Sequence, residues 1–364
     1  SKDILSEFSV LPHGEGKTNL KISVPENGKC YLKLIYHLKK ELPLLDEDHI
    51  LGFDEIEVSQ KDAKCQLAEK WVEKTVTDSE LQVSEDDTQI HIKGREFAYT
   101  IDRRTALFTE MKFAGREYLN HPMELNIWRA PTDNDMYIKS EWKKAHYDKA
   151  YTRAYTTEVV QGKHGVKITS HASVVAETVQ KILDVTITWK IEAAGKIDAD
   201  IAVTKDDEFP DLPRFGVRMF LDKKLSAARY FGMGPQESYC DKHQAASHGL
   251  YHANVDDLHE DYIRPQENGS HYDCEYVELN NSRYGIVVSA ENAFSFNASY
   301  YTQEELEEKT HNYELTESDS VVFCVDYALN GIGSNSCGPV VLDQYRFDDV
   351  LFRFQFTLIP YVKG

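Results

Sequence analysis

Apolar and polar positions alternate along most of the chain. Leu183, Val185, Ile187, Trp189 and Ile191 are separated by Asp184, Thr186, Thr188 and Lys190. After Ala194-Gly195 the alternation resumes through Ile197, Ala199, Ile201 and Val203. A period of two puts one set of side chains on one face, so this stretch predicts a hairpin with one buried side. Phe352, Phe354, Phe356 and Leu358 repeat the pattern near the C-terminus, and residues 89–119 predict short strands interrupted at Gly94 and at Arg103-Arg104.

Helical periodicity is scarce. Thr302-Gln-Glu-Glu305 has the spacing of a capping box and predicts a short helix to about Lys309. Residues 141–151 are a second helix candidate. Strands and helices do not alternate, which excludes a (β/α)₈ barrel, an architecture that takes about 250 residues. The pattern predicts an antiparallel all-β protein. Before residue 72, TNLKISV, CYLKLIYHL and DEIEVSQ predict a small sandwich. The polar run over 72–88 predicts a linker, with domains at 1–80 and 81–364.

A formal charge of -20, spread along the chain, argues against nucleic acid and anionic membrane surfaces as partners. The six cysteines are widely spaced, without a C-x-x-C pair, and predict free thiols in a reducing compartment, the cytoplasm. SKDILSEFSV lacks the features of a signal peptide, and no run approaches the roughly 20 apolar residues of a membrane span. The spacing of His243, His248, His252 and His259 matches no zinc motif.

Four polar stretches interrupt the strands. NIWRAPTDNDMY (126–137) must be a loop, because Pro131 and Asp133-Asn134-Asp135 forbid a regular strand; its side chains can bond local backbone, coordinate a cation or accept sugar hydroxyls. GMGPQESYCDK (232–242) and RPQENGSHYDCEY (264–276) carry Glu237 and Glu267, which could form an acid/base pair or pin turns by binding backbone amides. ALNGIGSNSCGPVV (328–341) is a glycine-shaped loop with Cys337 at its tip beside Asn335 and Ser336, and nothing local activates that thiol.

In order and spacing, IWRAPTDND, FGMGPQESYCD, RPQENG, FSFNASYYTQEELEEKTH and GIGSNSCGPV (127–340) resemble the C-terminal portion of glycoside hydrolase family 2 β-galactosidases, including the small chains of two-subunit enzymes. The resemblance implies a large antiparallel supersandwich of the galactose-mutarotase type, preceded by a partial immunoglobulin-like β-sandwich. It implies that this chain carries no catalytic residue and no cofactor. The catalytic glutamates and the metal ions would sit on a barrel region or large subunit, the partner with which the chain would form an oligomeric enzyme acting on galactosides such as lactose. The loop Arg129–Asp135 (Arg129, Asp133, Asn134, Asp135) would border the active site. The loop Gly333–Gly338 would approach the leaving-group sugar, with Cys337 where well-known members carry a tryptophan and with Asn335 and Ser336 as substitutes. Glu237 and Glu267 would be structural carboxylates. Two other functions remain open on the residues. A stand-alone carbohydrate-binding module would use Trp128, Trp142 and Tyr137 as its aromatic platform. A sugar epimerase would pair His271 with Glu267 or Glu275.

Overall fold

The computed structural model describes residues 4–5, 9–25, 28–61, 81–334 and 336–363. The chain divides into two compact units, Ser1–Lys64 and Cys65–Gly364. In the first, β1 (Gly28–His37) pairs antiparallel with β2 (Ile50–Lys61). Ile35, Tyr36, Ile50, Leu51 and Ile56 of this pair are exposed, and a two-stranded sheet by itself is marginal in water.

The second unit is a sandwich. A five-stranded meander comprises β3 (Gln82–Glu85), β4 (Gln89–Lys93), β5 (Phe97–Asp102), β6 (Leu107–Phe113) and β7 (Arg116–Glu117). The predicted breaks at Gly94 and Arg103-Arg104 fall between these strands. Part of the expected linker is strand instead: Val83 pairs with Ile92, and β3 looks polar because it is an edge strand with three of its four residues exposed. The rest of that linker, through Glu80, lies outside the described residues.

A twelve-stranded antiparallel sheet follows, built from β8 (Leu119–Asn126), β9 (Tyr151–Gln161), β10 (Gly165–Val175), β11 (Leu183–Glu192), β12 (Ile197–Lys205), β13 (Arg214–Asp222), β14 (Ala227–Gly234), β15 (Ser247–Asn254), β16 (His271–Asn280), β17 (Tyr284–Ser299), β18 (Ser320–Leu329) and β19 (Leu351–Val362). Its main path runs β15-β14-β16-β17-β19-β12-β11-β10-β9, and β8, β13 and β18 branch from β17. The predicted hairpin is β11–β12, with Ile187 opposite Ile201 and Trp189 opposite Ala199; Ile201 in turn faces Phe354 of β19. Ile187, Ile201 and Trp189 are fully buried, each aliphatic one contributing about 1.5–3 kcal/mol. Two buried hydrogen bonds tie the meander to this hairpin: Trp189 Nε1 to Ala106 O at 2.8 Å and Tyr99 Oη to Gly195 O at 2.7 Å.

Among the described residues two short α-helices interrupt the strands, α1 (Ile138–Lys144) and α2 (Gln303–Glu308). α2 starts where predicted, with Thr302 Oγ1 accepting Glu305 N at 3.1 Å. The Glu305 carboxylate, however, accepts Thr316 N at 2.8 Å, so it anchors the following loop. α1 lies earlier than the predicted 141–151 and ends before His146, whose φ of 58° is left-handed. The five described cysteines are free. Among the described residues no helix is long and apolar enough to cross a membrane.

Candidate functional site

The two loops singled out in the sequence, after β8 and after β18, meet around one buried guanidinium. Arg129 is completely buried. Its Nε and Nη2 donate to the two Asp135 carboxylate oxygens at 3.1 and 2.7 Å. Its Nη1 donates to Asn330 O at 2.5 Å and Nη2 also to Gly331 O at 3.0 Å. The guanidinium lies over the Trp142 ring at 5.2 Å. Burial opposes the charge on Arg129, yet the Asp135 carboxylate beside it holds its pKa above the ordinary arginine value. Asp135 closes a single 3₁₀ turn, Asp133–Asp135, and also accepts Thr132 N at 2.9 Å. The Asp-Asn-Asp run thus folds on itself with one carboxylate inward, as short polar side chains do in turns.

The second loop is held by its backbone. Asp241 accepts Ile332 N and Gly333 N at 2.9 and 2.8 Å. Tyr345 O accepts Gly331 N at 2.8 Å, and Asn134 Nδ2 donates to Gly333 O at 2.9 Å. A Cβ on Gly331 would stand 2.8 Å from Asp241 Oδ2, and Gly333 has φ +78°, so both positions suit glycine. The structure therefore brings Arg129, Asn134 and Asp135 to the second loop. Asp133 is exposed on the same turn, its amide donating to Gln266 Oε1 at 2.9 Å. Ser336 is half-buried and Cys337 exposed beyond the anchored segment, with Ser336 Oγ and Cys337 Sγ 3.9 Å apart. Asn335 lies outside the described residues.

Glu237 and Glu267 both hold loops. Glu237 takes Tyr262 Oη at 2.5 Å, Gly269 N at 2.9 Å and the Lys242 ammonium. Glu267 is buried, accepts Arg214 Nη1 at 3.1 Å, and its amide donates to Ala130 O at 3.0 Å. Burial pushes the Glu267 carboxyl up, against the pull of Arg214 and Arg129. Arg214 also forms a two-point pair with Asp326 across β13 and β18, at 3.0 and 2.6 Å. Arg214, Asp326 and Asp241 are site-forming residues that sequence reasoning missed. Asp326 does leave a signal, a lone carboxylate in the apolar run Val321–Leu329, because such a charge stays in a core strand only with a partner.

Two expected constellations are not what the structure contains. Trp128 and Trp142 are 5% and 0% exposed. They pack edge to face at 6.1 Å, with their indole N–H groups given to Glu307 and to Asp211 O. The binding platform is thereby reduced to Tyr137, because both indoles find apolar cover and a polar partner inside. His271 is buried between Tyr230 and Phe296 at ring distances of 4.5 and 5.1 Å. Burial lowers its pKa to about 4. Glu267 is committed to Arg214. Neither His271, Glu267 nor Glu275 lines the 330 Å³ cleft of the sheet. Among the described residues no group of three His, Cys, Asp or Glu is placed to hold a metal ion.

The sequence model of the β-galactosidase small chain matches residues 93–358, which include both joined loops. The chain belongs to the β-galactosidase small-chain family. A β-galactosidase of Actinobacillus pleuropneumoniae is 43% identical over 353 residues, covering 96% of this chain and 34% of that protein. One from Staphylococcus xylosus is 32% identical, covering 97% and 35%. The chain thus spans about a third of the length of these curated relatives. The family expected from the five motifs is the one found. Among solved structures, a galactose 1-epimerase from Lactobacillus acidophilus is similar with a TM-score of 0.41 and 8% identity, over 79% of this chain and 100% of that one. A glycosyl hydrolase family 38 protein from Enterococcus faecalis gives 0.44 and 7%, over 93% and 38%.

Proposed function

We propose that this small-chain-family protein is the barrel-free part of a β-galactosidase, acting as scaffold and as the rim of the active site. Hydrolysis of terminal β-galactosides, lactose among them, would use two carboxylates on a barrel region or large subunit and a covalent galactosyl intermediate. Metal ions would belong to that partner, and the complete enzyme would be a cytoplasmic oligomer. Residues 1–80 are read as part of an immunoglobulin-like sandwich and 81–364 as the supersandwich. The observation that carries the reading is the stitched pair of loops within the matched region: Arg129 is locked so that Asp133, Asn134 and the tip at Ser336-Cys337 are presented from one rigid base. Glu237 and Glu267, already engaged by Lys242 and Arg214, are poorly disposed to be nucleophiles.

A mechanism-based label tests this. An activated 2-deoxy-2-fluoro galactoside, which traps the covalent intermediate, is incubated with the chain and its barrel-bearing partner. The expected adduct lies on the partner. An adduct on Glu237, Glu267 or any other residue of this chain overturns the reading.

A further inference from the structure

Three strands lose register at one place. Between β16 and β17, pairing passes from Tyr276–Ser289 to Cys274–Phe294, so β17 loops outward through Ala293. It passes next to His271–Phe296, which leaves Tyr272 and Asp273 as the irregular part of β16. Asp273 has φ +53°, a conformation that costs a non-glycine residue and tends to persist at functional sites. In β18, Ala328 faces Phe215 and Asp326 faces Gly216, so Tyr327 is the extra residue. Bulges re-aim side chains out of a strand's alternation and recur beside binding sites. Tyr272, Asp273, Ala293 and Tyr327 all line a single cleft of about 330 Å³.

The far wall comes from the connection before β19, with Gln344, Arg346 and Asp349. The chemistry of this lining is specific. Tyrosine rings offer flat faces that suit the C–H face of a pyranose, while the carboxylates and the amide suit hydroxyl groups. Arg346 does not make it an anion site, because its Nε is given to Asp211 at 2.7 Å and Asp349 adds negative charge, while Asp273 keeps one carboxylate oxygen on His248 Nε2 at 2.9 Å. The volume sits at the small end of ligand pockets.

We propose that this cleft binds a neutral saccharide, one pyranose ring packed on a tyrosine face with its hydroxyls on the Asp273, Gln344 and Asp349 side. The site is read from this chain alone and does not depend on the rim function proposed above.

The test uses the full 364-residue chain, titrated with galactose, glucose and lactose by calorimetry and by ligand-observed NMR, with glycerol and inorganic phosphate as controls. Saturable millimolar binding of at least one sugar is expected, with saturation passed to its ring protons. Tyr272→Ala weakens it about 3- to 10-fold, the size of one aromatic contact. Ala293→Phe, at an exposed position on the cleft wall, blocks it while leaving the circular dichroism spectrum unchanged. If Tyr272→Ala fails to fold, Ala293→Phe decides alone. Absence of saturable binding for all three sugars overturns the proposal. So does binding indifferent to Ala293→Phe, or binding by glycerol or phosphate as tight as by the sugars.

Discussion

Replacing Arg129 by lysine keeps the charge and removes the fork. The guanidinium makes four hydrogen bonds from a fully buried position: two to Asp135, one to Asn330 O and one to Gly331 O. An ammonium is a point charge that cannot reproduce the planar two-point pairing. It can still face Asp135, so the pair is weakened rather than abolished. At least two charge-assisted bonds are lost, at about 1.5–3 kcal/mol each, and carbonyls of the second loop are left buried without a donor. The expected loss is about 3–5 kcal/mol, a large share of the stability of a typical domain. Urea unfolding of both proteins measures it. Hydrogen exchange adds the location: the amides of Thr132, which donates to Asp135, and of Ile332 and Gly333, which donate to Asp241, should exchange faster in Arg129→Lys than those of the β11–β12 hairpin. A variant within about 0.5 kcal/mol of the parent, with unchanged exchange in both loops, would refute the claim that this guanidinium stitches them.

Other consequences are testable in the same way. His271 has its pKa lowered to about 4 from 6.5, so the unfolded chain binds a proton that the folded chain refuses; stability is full above about 6.5 and is lost as pH falls towards 4, by up to about 3 kcal/mol. The difference between the pH–stability curves of the parent and His271→Gln should carry that slope. Asp326→Asn leaves Arg214 buried with Glu267 as its remaining carboxylate partner and should cost about 3–5 kcal/mol by denaturant unfolding. Glu237→Gln should leave kcat of the reconstituted enzyme within tenfold, whereas loss of an acid/base residue lowers it about 10²–10⁴-fold. Cys337→Trp, at the exposed loop tip, should tighten inhibition of that enzyme by glucose up to about tenfold, the worth of one aromatic contact.

The sheet was legible because burial on one face writes itself into every second residue. Leu183–Val203 shows this, and its register with β19 follows once Phe352, Phe354 and Phe356 are placed. β3 was read as linker because an edge strand buries too little to leave a pattern. α1 was placed too late because EWKKAHYDKAY has helical composition throughout, while the left-handed His146 stops the helix. The loop stitch was half legible. Asp133-Asn134-Asp135 announces a turn, but Arg129 and Asn330 stand 201 positions apart, and only the folded sheet brings them together. Trp128 and Trp142 misled for a related reason: an indole is equally suited to a sugar platform and to a core, and the fold buries both, packed edge to face. The three coincident bulges left no trace, since each is a mismatch between strands rather than a property of one segment.

Hydrolysis of a chromogenic β-galactoside by the purified chain, alone and after mixing with a barrel-bearing fragment from the same source, tests the central claim most directly. The account predicts no turnover by the chain alone and turnover on mixing, abolished when the fragment's catalytic glutamates are replaced. Turnover by the chain alone, sensitive to Glu237→Gln or Glu267→Gln, would contradict it.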